Sequence, residues 1–239
     1  MREPFLTVVL PCRDQEDHIG AVLRGYAGPL EATGLSFELV VVPNACRDRT
    51  ADIVKALAAS DARIRVAENP AGGWGLSVLT GLAASRGSVL CYANSARTEP
   101  PQVSELLARY LENAPCLAKV RREHRSAPLR ELGSWLFNME GRLLFGTAVA
   151  DVNGTPKIFP RLTYERLGLF SAGDLLDLEL VVKVRRLGMP IVELPVRGFS
   201  RHGGRSSTNL RSAWRMYTGA LRLKKGLSGF PEHGMRVIA

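Results

Sequence analysis

The feature that most constrains the fold is a regular alternation of short apolar runs with segments of helical period. Over the first hundred residues, each run rich in valine, isoleucine and leucine is followed by a segment with apolar residues at helical spacing. This alternation indicates an α/β fold with an open, mostly parallel sheet and crossover helices on both faces. The predicted strands are LTVVLP, FELVVV, IRVAE and SVLCYA, and the predicted helices span 16–27, 51–60 and 75–85.

The pattern continues with a helix from Pro100 to Asn113, a strand at CLAKV and a helix over 128–145. Open sheets of this kind bind ligands in the crevice beyond the carboxyl ends of their parallel strands. The loops that begin at Pro11, Pro43, Asn69 and Asn94 are therefore the places to look for a site.

Composition narrows the classes of partner. The 239 residues carry a formal net charge of +9, with the cations concentrated after the first hundred residues, which indicates an anionic partner. The apolar runs are far shorter than the ~20 residues that span a bilayer, and the N-terminus lacks a signal-peptide pattern, so we expect a cytoplasmic protein. The four widely spaced cysteines contain no CxxC pair, which indicates reduced, inert thiols.

Three function classes are disfavoured. The glycine-rich GGWGLS lacks the third glycine and the later acidic residue of a dinucleotide fingerprint, and no GxxxxGK[ST] phosphate loop is present. Aromatic residues make up only 7% of the chain and are scattered, so no stacking platform for nucleic acid is indicated. We expect no nucleic-acid partner.

Six segments, in order, resemble a known family. TVVLPCRDQEDHIG, ELVVVPNACRDRTADIV and NPAGGWGLSVLTGLAASRGSVLCYANSARTEPP are similar to the opening segments of the inverting, A-type (GT-A) glycosyltransferases of family 2. ADVNGTPKIFPR, LLDLELVVKVRRLGMPIVELPV and RHGGRS resemble later segments of the polyprenyl-phosphate sugar transferases of that family. The resemblance covers roughly residues 6–206, and it implies transfer of a sugar from a nucleotide-diphosphate donor to a polyprenyl-phosphate-like acceptor.

The resemblance implies a set of donor-binding residues on the loops after the strands. For Glu16, favourable charge at a helix N-terminus is an alternative role, and for Gly73 a plain glycine-rich turn is one. The donor-binding candidates are Pro11, Arg13, Asp14, Glu16, Asn44, Gly73, Asn94, Ser95, Ala96, Asp151 and Asn153.

The same resemblance implies acceptor and catalytic residues. Arg121, Arg122, Arg201 and Ser206 match positions that hold a lipid phosphate, and a solvated basic face is the alternative for the arginines. Asp177 lies where the family has an acidic residue facing the acceptor. A phosphate acceptor is already an anion, whereas a hydroxyl acceptor needs such a base.

The metal-binding DxD element of the family is degenerate here. Asn94 and Ala96 stand in place of its two aspartates, and Ala96 offers no ligand atom. We assign no metal ligand, although Mg²⁺ or Mn²⁺ stays open as a cofactor. The neighbouring Arg97 is predicted to supply fixed positive charge instead, since one cation ~4 Å from a phosphate oxygen contributes about 4 kcal/mol at an effective dielectric of ~20. Donor binding is then expected to be largely independent of metal.

The C-terminal region differs in composition from the rest. Leu210, Trp214, Tyr217 and Leu221 recur at helical spacing among arginines and lysines, which is typical of a helix on an anionic membrane surface. Packing of the same stripe on the core is the alternative. We divide the chain into a glycosyltransferase domain, 1–207, and a basic amphipathic tail, 208–239. If the tail binds a membrane surface, the location is peripheral, on the inner face of the membrane.

Two other functions stay open at this point. One is transfer to a soluble hydroxyl acceptor in specialised metabolism. The other is a catalytically silent homologue that binds a nucleotide sugar or lipid, because the DxD carboxylates are missing.

Overall fold

A computed structural model describes residues 3–123, 128–147, 149–197 and 210–231. The strands are β1 (Leu6–Cys12), β2 (Phe37–Pro43), β3 (Ile64–Val66), β4 (Val89–Tyr92), β5 (Leu117–Arg122), β6 (Lys157–Pro160) and β7 (Ile191–Val196). The helices are α1 (Ile19–Gly25), α2 (Ala27–Glu31), α3 (Thr50–Ser60), α4 (Trp74–Ala84), α5 (Pro100–Asn113), α6 (Pro128–Phe145), α7 (Arg161–Leu167), α8 (Leu176–Arg186) and α9 (Leu210–Gly226).

The strands form one sheet in the order β3-β2-β1-β4-β6-β5-β7. All neighbouring pairs are parallel except those of β6, which runs antiparallel between β4 and β5. This confirms the predicted α/β class and the mostly parallel sheet. The carboxyl ends of β1, β2, β4 and β5 and the amino end of β6 consequently lie at one edge.

Both faces of the sheet are covered by helices. Alternate β1 residues point to opposite faces, so that Val8 and Leu10 join one buried cluster while Val9 joins the other. The first cluster includes residues of α1, α3 and α5, and the second includes residues of α4, α6, α8 and α9. Strands buried on both faces explain why their sequences are continuous apolar runs.

The first predicted helix is wrong at its amino end. It was expected to start at Glu16, but α1 begins at Ile19. Asp14 has a left-handed φ of 49°, and the Gln15 carbonyl accepts hydrogen bonds from the amides of His18 and Ile19, which closes a turn before the helix. Glu16 therefore lies in the loop after β1 and does not charge the start of α1.

The predicted list of strands also omits β6. This strand has only four residues, three of them buried, so neither its length nor an alternating pattern identifies it. Its amino end brings Lys157 beside Tyr92 of β4 in register. The antiparallel insertion therefore adds a lysine to the edge where the parallel strands end.

The C-terminal helix packs against the domain over the part whose side chains are described. Ala220, Leu223 and Leu227 are buried in the second core cluster, and the Tyr217 hydroxyl donates to the Gly133 carbonyl of α6 at 2.8 Å. Of the predicted stripe, Tyr217 therefore packs on the core, whereas Leu221 is 56% exposed. Among the described helices, none combines the length and the apolar character needed to cross a bilayer.

Candidate donor and acceptor site

The loops after β1 and β4 meet at the point where the strand order reverses. The Ser95 hydroxyl, fully buried, lies 2.7 Å from the Pro11 carbonyl oxygen and 3.1 Å from Gln15 Oε1. Two predicted donor-binding residues, Pro11 and Ser95, are therefore brought together. Ser95 contributes by joining the two loops, and its hydroxyl points inward.

The loops after β1 and β2 are joined by side-chain bonds to the main chain. Asp14 Oδ1 accepts from the Arg47 amide at 2.8 Å, and Glu16 Oε2 accepts from the Arg49 amide at 3.0 Å. Arg49 directly precedes α3, so the negative charge of Glu16 stabilises the N-terminus of α3 and not that of α1. Arg13 is exposed, and its Nε lies 3.8 Å from Asp14.

Asn44 is a predicted residue whose side-chain oxygen is left unpaired beside the glycine-rich loop. It directly follows β2, is 9% exposed, and its Oδ1 has no hydrogen-bond partner among the described residues. A Cβ placed on Gly72 would lie 3.6 Å from this oxygen, so the glycine keeps the space beside it open. An unpaired acceptor oxygen at this edge is suited to accept a hydrogen bond from an N–H group of a nucleotide base or from a ribose hydroxyl.

The glycine-rich segment 72–76 packs against the segment before α8 and also lines a cavity. A Cβ on Gly75 would lie 2.3 Å from the Ser171 carbonyl oxygen, and the Leu76 amide donates to the Ala172 carbonyl at 2.7 Å. Gly73 has a φ of 109°, which strongly favours glycine. A cavity of about 550 Å³ opens here, lined by Gly73, Trp74, residues 170–175, Gly219, Arg222 and Leu223.

The segment 94–97 does not fit a divalent cation. Asn94 Oδ1 accepts from the Ala96 amide at 3.0 Å, and Ala96 is 4% exposed and has no ligand atom. Mg²⁺ and Mn²⁺ need several oxygen ligands, and this turn supplies no pair of free carboxylates. Arg97 lies half-buried at the same turn, with its amide bonded to the Asn94 carbonyl.

A second group of possible ligand atoms lies on the neighbouring loops. One ligand atom each from Asp14, Cys46 and Asp48 falls within 4.8 Å of the others. The Asp48 carboxylate already accepts from the amides of Glu16 and Thr50, both at 3.0 Å. These contacts explain the carboxylates as loop braces, and we assign no metal to them.

Asp177 is at the centre of a buried polar network beneath this edge. It is 4% exposed, forms an ion pair with Lys157, and accepts from the Tyr92 hydroxyl at 2.7 Å and from Trp74 Nε1 at 3.2 Å. Burial lowers the pKa of Lys157 to about 8. In this structure the carboxylate is held by three protein donors, and its predicted catalytic role stays a prediction.

The predicted phosphate-binding arginines are paired with carboxylates. The Arg122 guanidinium donates two hydrogen bonds to the Asp151 carboxylate, at 2.7 and 2.8 Å. Asp151 was itself predicted to bind the donor, so this pair occupies one residue from each predicted group. Arg121 lies 3.0 Å from Glu123 and is about two-fifths exposed. Asn153 is half-buried with an unpaired, buried Oδ1. Arg201 and Ser206 lie outside the described residues.

Sequence reasoning did not assign Trp74 or Tyr92 to the site and noted Lys157 only as part of a motif. A signal was present, because Tyr92 and Lys157 are the polar members of otherwise apolar strands. What the sequence does not contain is the antiparallel pairing that sets them side by side.

The chain is similar in sequence to known sugar transferases. It is 25% identical over 201 residues to an undecaprenyl-phosphate 4-deoxy-4-formamido-L-arabinose transferase of Pseudomonas paraeruginosa (strain DSM 24068 / PA7), covering 83% of this chain and 55% of that one. A transferase of the same name from Shewanella sediminis (strain HAW-EB3) is 26% identical over 137 residues, covering 56% and 41%. The chain therefore spans about half the length of the curated relatives it matches.

Solved structures share the fold. Glucosyl-3-phosphoglycerate synthase from Mycobacterium tuberculosis, in complex with Mn²⁺, UDP and glucosyl-3-phosphoglycerate, superposes with a TM-score of 0.69 at 20% identity, covering 93% of this chain and 80% of that one. The same synthase with Mn²⁺, UDP and phosphoglyceric acid gives 0.70 at 22% identity, covering 97% and 81%. At these identities the likeness shows a common architecture.

Residues 7–165, about two thirds of the chain, match the family model described as Glycosyl transferase family 2. That span contains β1 to β6 and every loop at the edge described above except the one before α8. By its sequence and its fold, the chain belongs to glycosyl transferase family 2.

Proposed function

We propose that this protein is an inverting glycosyltransferase that moves a sugar from a nucleotide-diphosphate donor to a polyprenyl-phosphate acceptor. The observation that carries the proposal is that unpaired Asn44, the Ser95 turn and basic Arg121 and Arg122 all lie at the same end of the sheet. The relatives named as undecaprenyl-phosphate transferases support this acceptor class.

The residues divide into two groups by the loops that carry them. The loops after β2 and β4 provide Asn44 and Asn94 for the nucleotide, while the end of β5 provides the arginines for a phosphate. Arg122 already pairs with Asp151, so an acceptor phosphate would compete with that carboxylate for the guanidinium. In-line attack by a phosphate oxygen on the sugar needs no protein base, which agrees with the buried position of Asp177.

We further propose that donor binding and transfer proceed without a strict need for a divalent metal. The basis is the turn at 94–97, where the carboxylates of the metal element are replaced and Arg97 stands at the same turn. A fixed guanidinium would provide part of the charge that an ion provides in related enzymes.

The test is a transfer screen with several nucleotide sugars, short polyprenyl phosphates and hydroxyl acceptors, with products identified by mass. Each reaction is run with EDTA and then with added Mg²⁺ or Mn²⁺. We expect glycosylated polyprenyl phosphate to form in EDTA. Full loss in EDTA with full rescue by metal would contradict the metal proposal, and product only on hydroxyl acceptors would contradict the acceptor proposal. No nucleotide binding and no turnover would contradict both.

A matched pair of variants tests Arg97. Arg97→Gln is expected to weaken donor affinity by about tenfold or more, since one lost charge contact to a phosphate costs more than about 1.4 kcal/mol. Arg109→Gln, at an exposed position of α5, is the control that removes the same charge. Equal affinities for the two variants would show that Arg97 does not contact the donor.

A peripheral association with an anionic membrane is also proposed, from the packed pair α6 and α9. Trp135 and Leu143 of α6 are 56% and 79% exposed, and Leu221 of α9 is 56% exposed. Lys224 and Lys225 on α9 are exposed as well. Large apolar side chains beside cations fit the interface of a bilayer that contains anionic lipids.

A further inference from the structure

Two of the four cysteines meet where the predicted donor-binding loops leave the sheet. Cys12 is the last residue of β1, paired in register with Pro43, the last residue of β2. The chain then turns back, and Cys46 Sγ comes to 3.5 Å from the Cys12 carbonyl oxygen. Residues 34 positions apart in the sequence are thus brought together by the parallel pairing of β1 and β2.

The backbone around this pair is strained. Asp14 and Ala45 have left-handed φ values of 49° and 47°, and they are the described non-glycine residues with positive φ. Such conformations cost of order 1 kcal/mol or more for a residue with a Cβ and persist only where the surroundings enforce them. Each lies within two residues of one of the cysteines, so the two turns hold Cys46 Sγ against the backbone of Cys12.

The two thiols differ in exposure. Cys12 is 2% exposed, whereas Cys46 is half-buried and reachable by a small reagent. We propose that Cys46 and Cys12 form a peroxide-responsive dithiol, in which Cys46 reacts first and Cys12 resolves the product as a disulfide between the loops after β1 and β2.

The electrostatic environment agrees with this order. The neighbouring Cys12 thiol lowers the pKa of Cys46 to about 6, helped by the main-chain amides of Asp14 and Asn44, while burial and Asp48 act in the opposite direction. The neighbouring Cys46 thiol, together with burial, raises the pKa of Cys12. A thiolate is the nucleophile in thiol chemistry, so the half-buried Cys46 is the reactive member of the pair.

The chemistry balances with a hydroperoxide as the oxidant. The Cys46 thiolate attacks one oxygen of H₂O₂, the S–O bond forms as the O–O bond breaks, and the departing hydroxide takes a proton to become water. The Cys12 thiol then loses its proton and attacks the Cys46 sulfenic sulfur, so that the S–S bond forms and the S–O bond breaks, releasing a second water. Two thiols and one peroxide give one disulfide and two waters.

The disulfide would act on the donor site, a consequence that rests on the proposed function. Asn44 stands between the two cysteines in this corner, and its amide donates to the Cys12 carbonyl at 2.8 Å. Asp14 is bonded to the Arg47 amide next to Cys46. Moving Cys46 toward Cys12 therefore shifts the loop that carries the unpaired Asn44 oxygen. We expect oxidation to weaken nucleotide binding by about tenfold or more.

The primary test is peptide mapping of the full chain after treatment with equimolar H₂O₂. The expected result is a Cys12–Cys46 crosslinked peptide that dithiothreitol reverses, while buried Cys91 and Cys116 stay reduced. Cys46→Ser should yield no crosslink. Stable sulfinic acid at Cys46, or no oxidation of Cys46, in the wild-type protein would overturn the proposal.

The second test measures UDP and GDP binding to reduced and oxidised protein by calorimetry. Weaker binding after oxidation, with recovery in dithiothreitol and no change in peroxide-treated Cys46→Ser, supports the proposed effect on the donor site. Equal binding by oxidised and reduced protein overturns that effect. Absence of nucleotide binding in the reduced protein counts against the proposed function, while the peptide map alone still decides the dithiol chemistry.

Discussion

At the scale of single residues, Asp177 shows how environment decides a role. Its carboxylate is buried, forms an ion pair with Lys157 and accepts hydrogen bonds from Tyr92 and Trp74, which lie on three different elements. A base for a hydroxyl acceptor must reach the acceptor proton, and this carboxylate is surrounded by the protein's own donors. Loss of activity in an Asp177 variant would therefore not by itself identify a base, because the same change disrupts the network.

Asp177→Asn is expected to lower the free energy of unfolding by about 3–5 kcal/mol, because it leaves the Lys157 ammonium buried without its counter-charge. Lys157→Gln combined with Asp177→Asn removes both charges and should recover more than half of the loss. Urea denaturation of the two variants and the wild type makes the measurement. A loss equal in the single and the double variant would contradict an ion-pair role.

The same variant gives a pH signature. A lysine whose pKa is lower in the folded than in the unfolded state binds fewer protons when folded, so stability rises with pH between the two values. In the wild type this rise begins near the Lys157 pKa of about 8. Without Asp177 the folded pKa falls further, so the rise starts at lower pH. The loss of unfolding free energy caused by Asp177→Asn, relative to the wild type, should therefore be larger at pH 6 than at pH 8.

At the scale of elements, the start of α4 is joined to the segment before α8 by close backbone contact. Gly75 lies against the carbonyl oxygens of Ser171 and Gly173, and Glu179 of α8 accepts the amides of Phe170 and Ser171. Glu179 is itself paired with Lys183 at 2.6 Å. These contacts hold one wall of the cavity beside Gly73 and Trp74.

Gly75→Ala is expected to destabilise the protein by about 1–3 kcal/mol, because its Cβ would approach two backbone oxygens at 2.3 and 2.5 Å. Gly173→Ala is the matched control in the same contact, since its Cβ would meet nothing within 4 Å. Thermal unfolding of both variants compares them. If Gly75→Ala is as stable as Gly173→Ala, the segment before α8 is free to move away from α4.

At the scale of the whole molecule, the net charge of +9 is combined with a surface of exposed apolar side chains on α6 and α9. Deleting 209–239 is not a clean test of membrane binding, because it also removes Ala220, Leu223 and Leu227 from the core. Charge reversal at exposed positions avoids this, since it leaves the packing intact.

Lys224→Glu with Lys225→Glu should weaken binding to vesicles containing anionic lipid by about 30-fold or more at low salt, because each basic residue contributes about 1 kcal/mol. Arg24→Glu with Arg86→Glu, at exposed positions outside α6 and α9, changes the net charge equally and serves as the control. Vesicle sedimentation makes the comparison. The same loss in both double variants would indicate non-specific attraction, and no loss in either would refute the membrane surface.

Much of the fold and part of the candidate site were predictable from local information. The α/β class, the four first strands and the helix α6 follow from runs and periods that are properties of neighbouring residues. The loops at the carboxyl ends follow from the same pattern, which is why Asn44, Asn94 and Ser95 were expected at the edge where they lie. The substitution of the DxD carboxylates is likewise visible in the sequence alone.

What tertiary structure decided is which of these polar groups are already bound to one another. Burial and ion pairing of Asp177 with Lys157 depend on an antiparallel strand inserted in a parallel sheet, and the Arg122–Asp151 pair joins residues 29 positions apart. The contact of Cys12 with Cys46 arises because two strand ends are adjacent in the sheet. Sequence periodicity reports the face that a residue occupies on its own element. Contacts between elements depend on strand order and register, which no local pattern encodes.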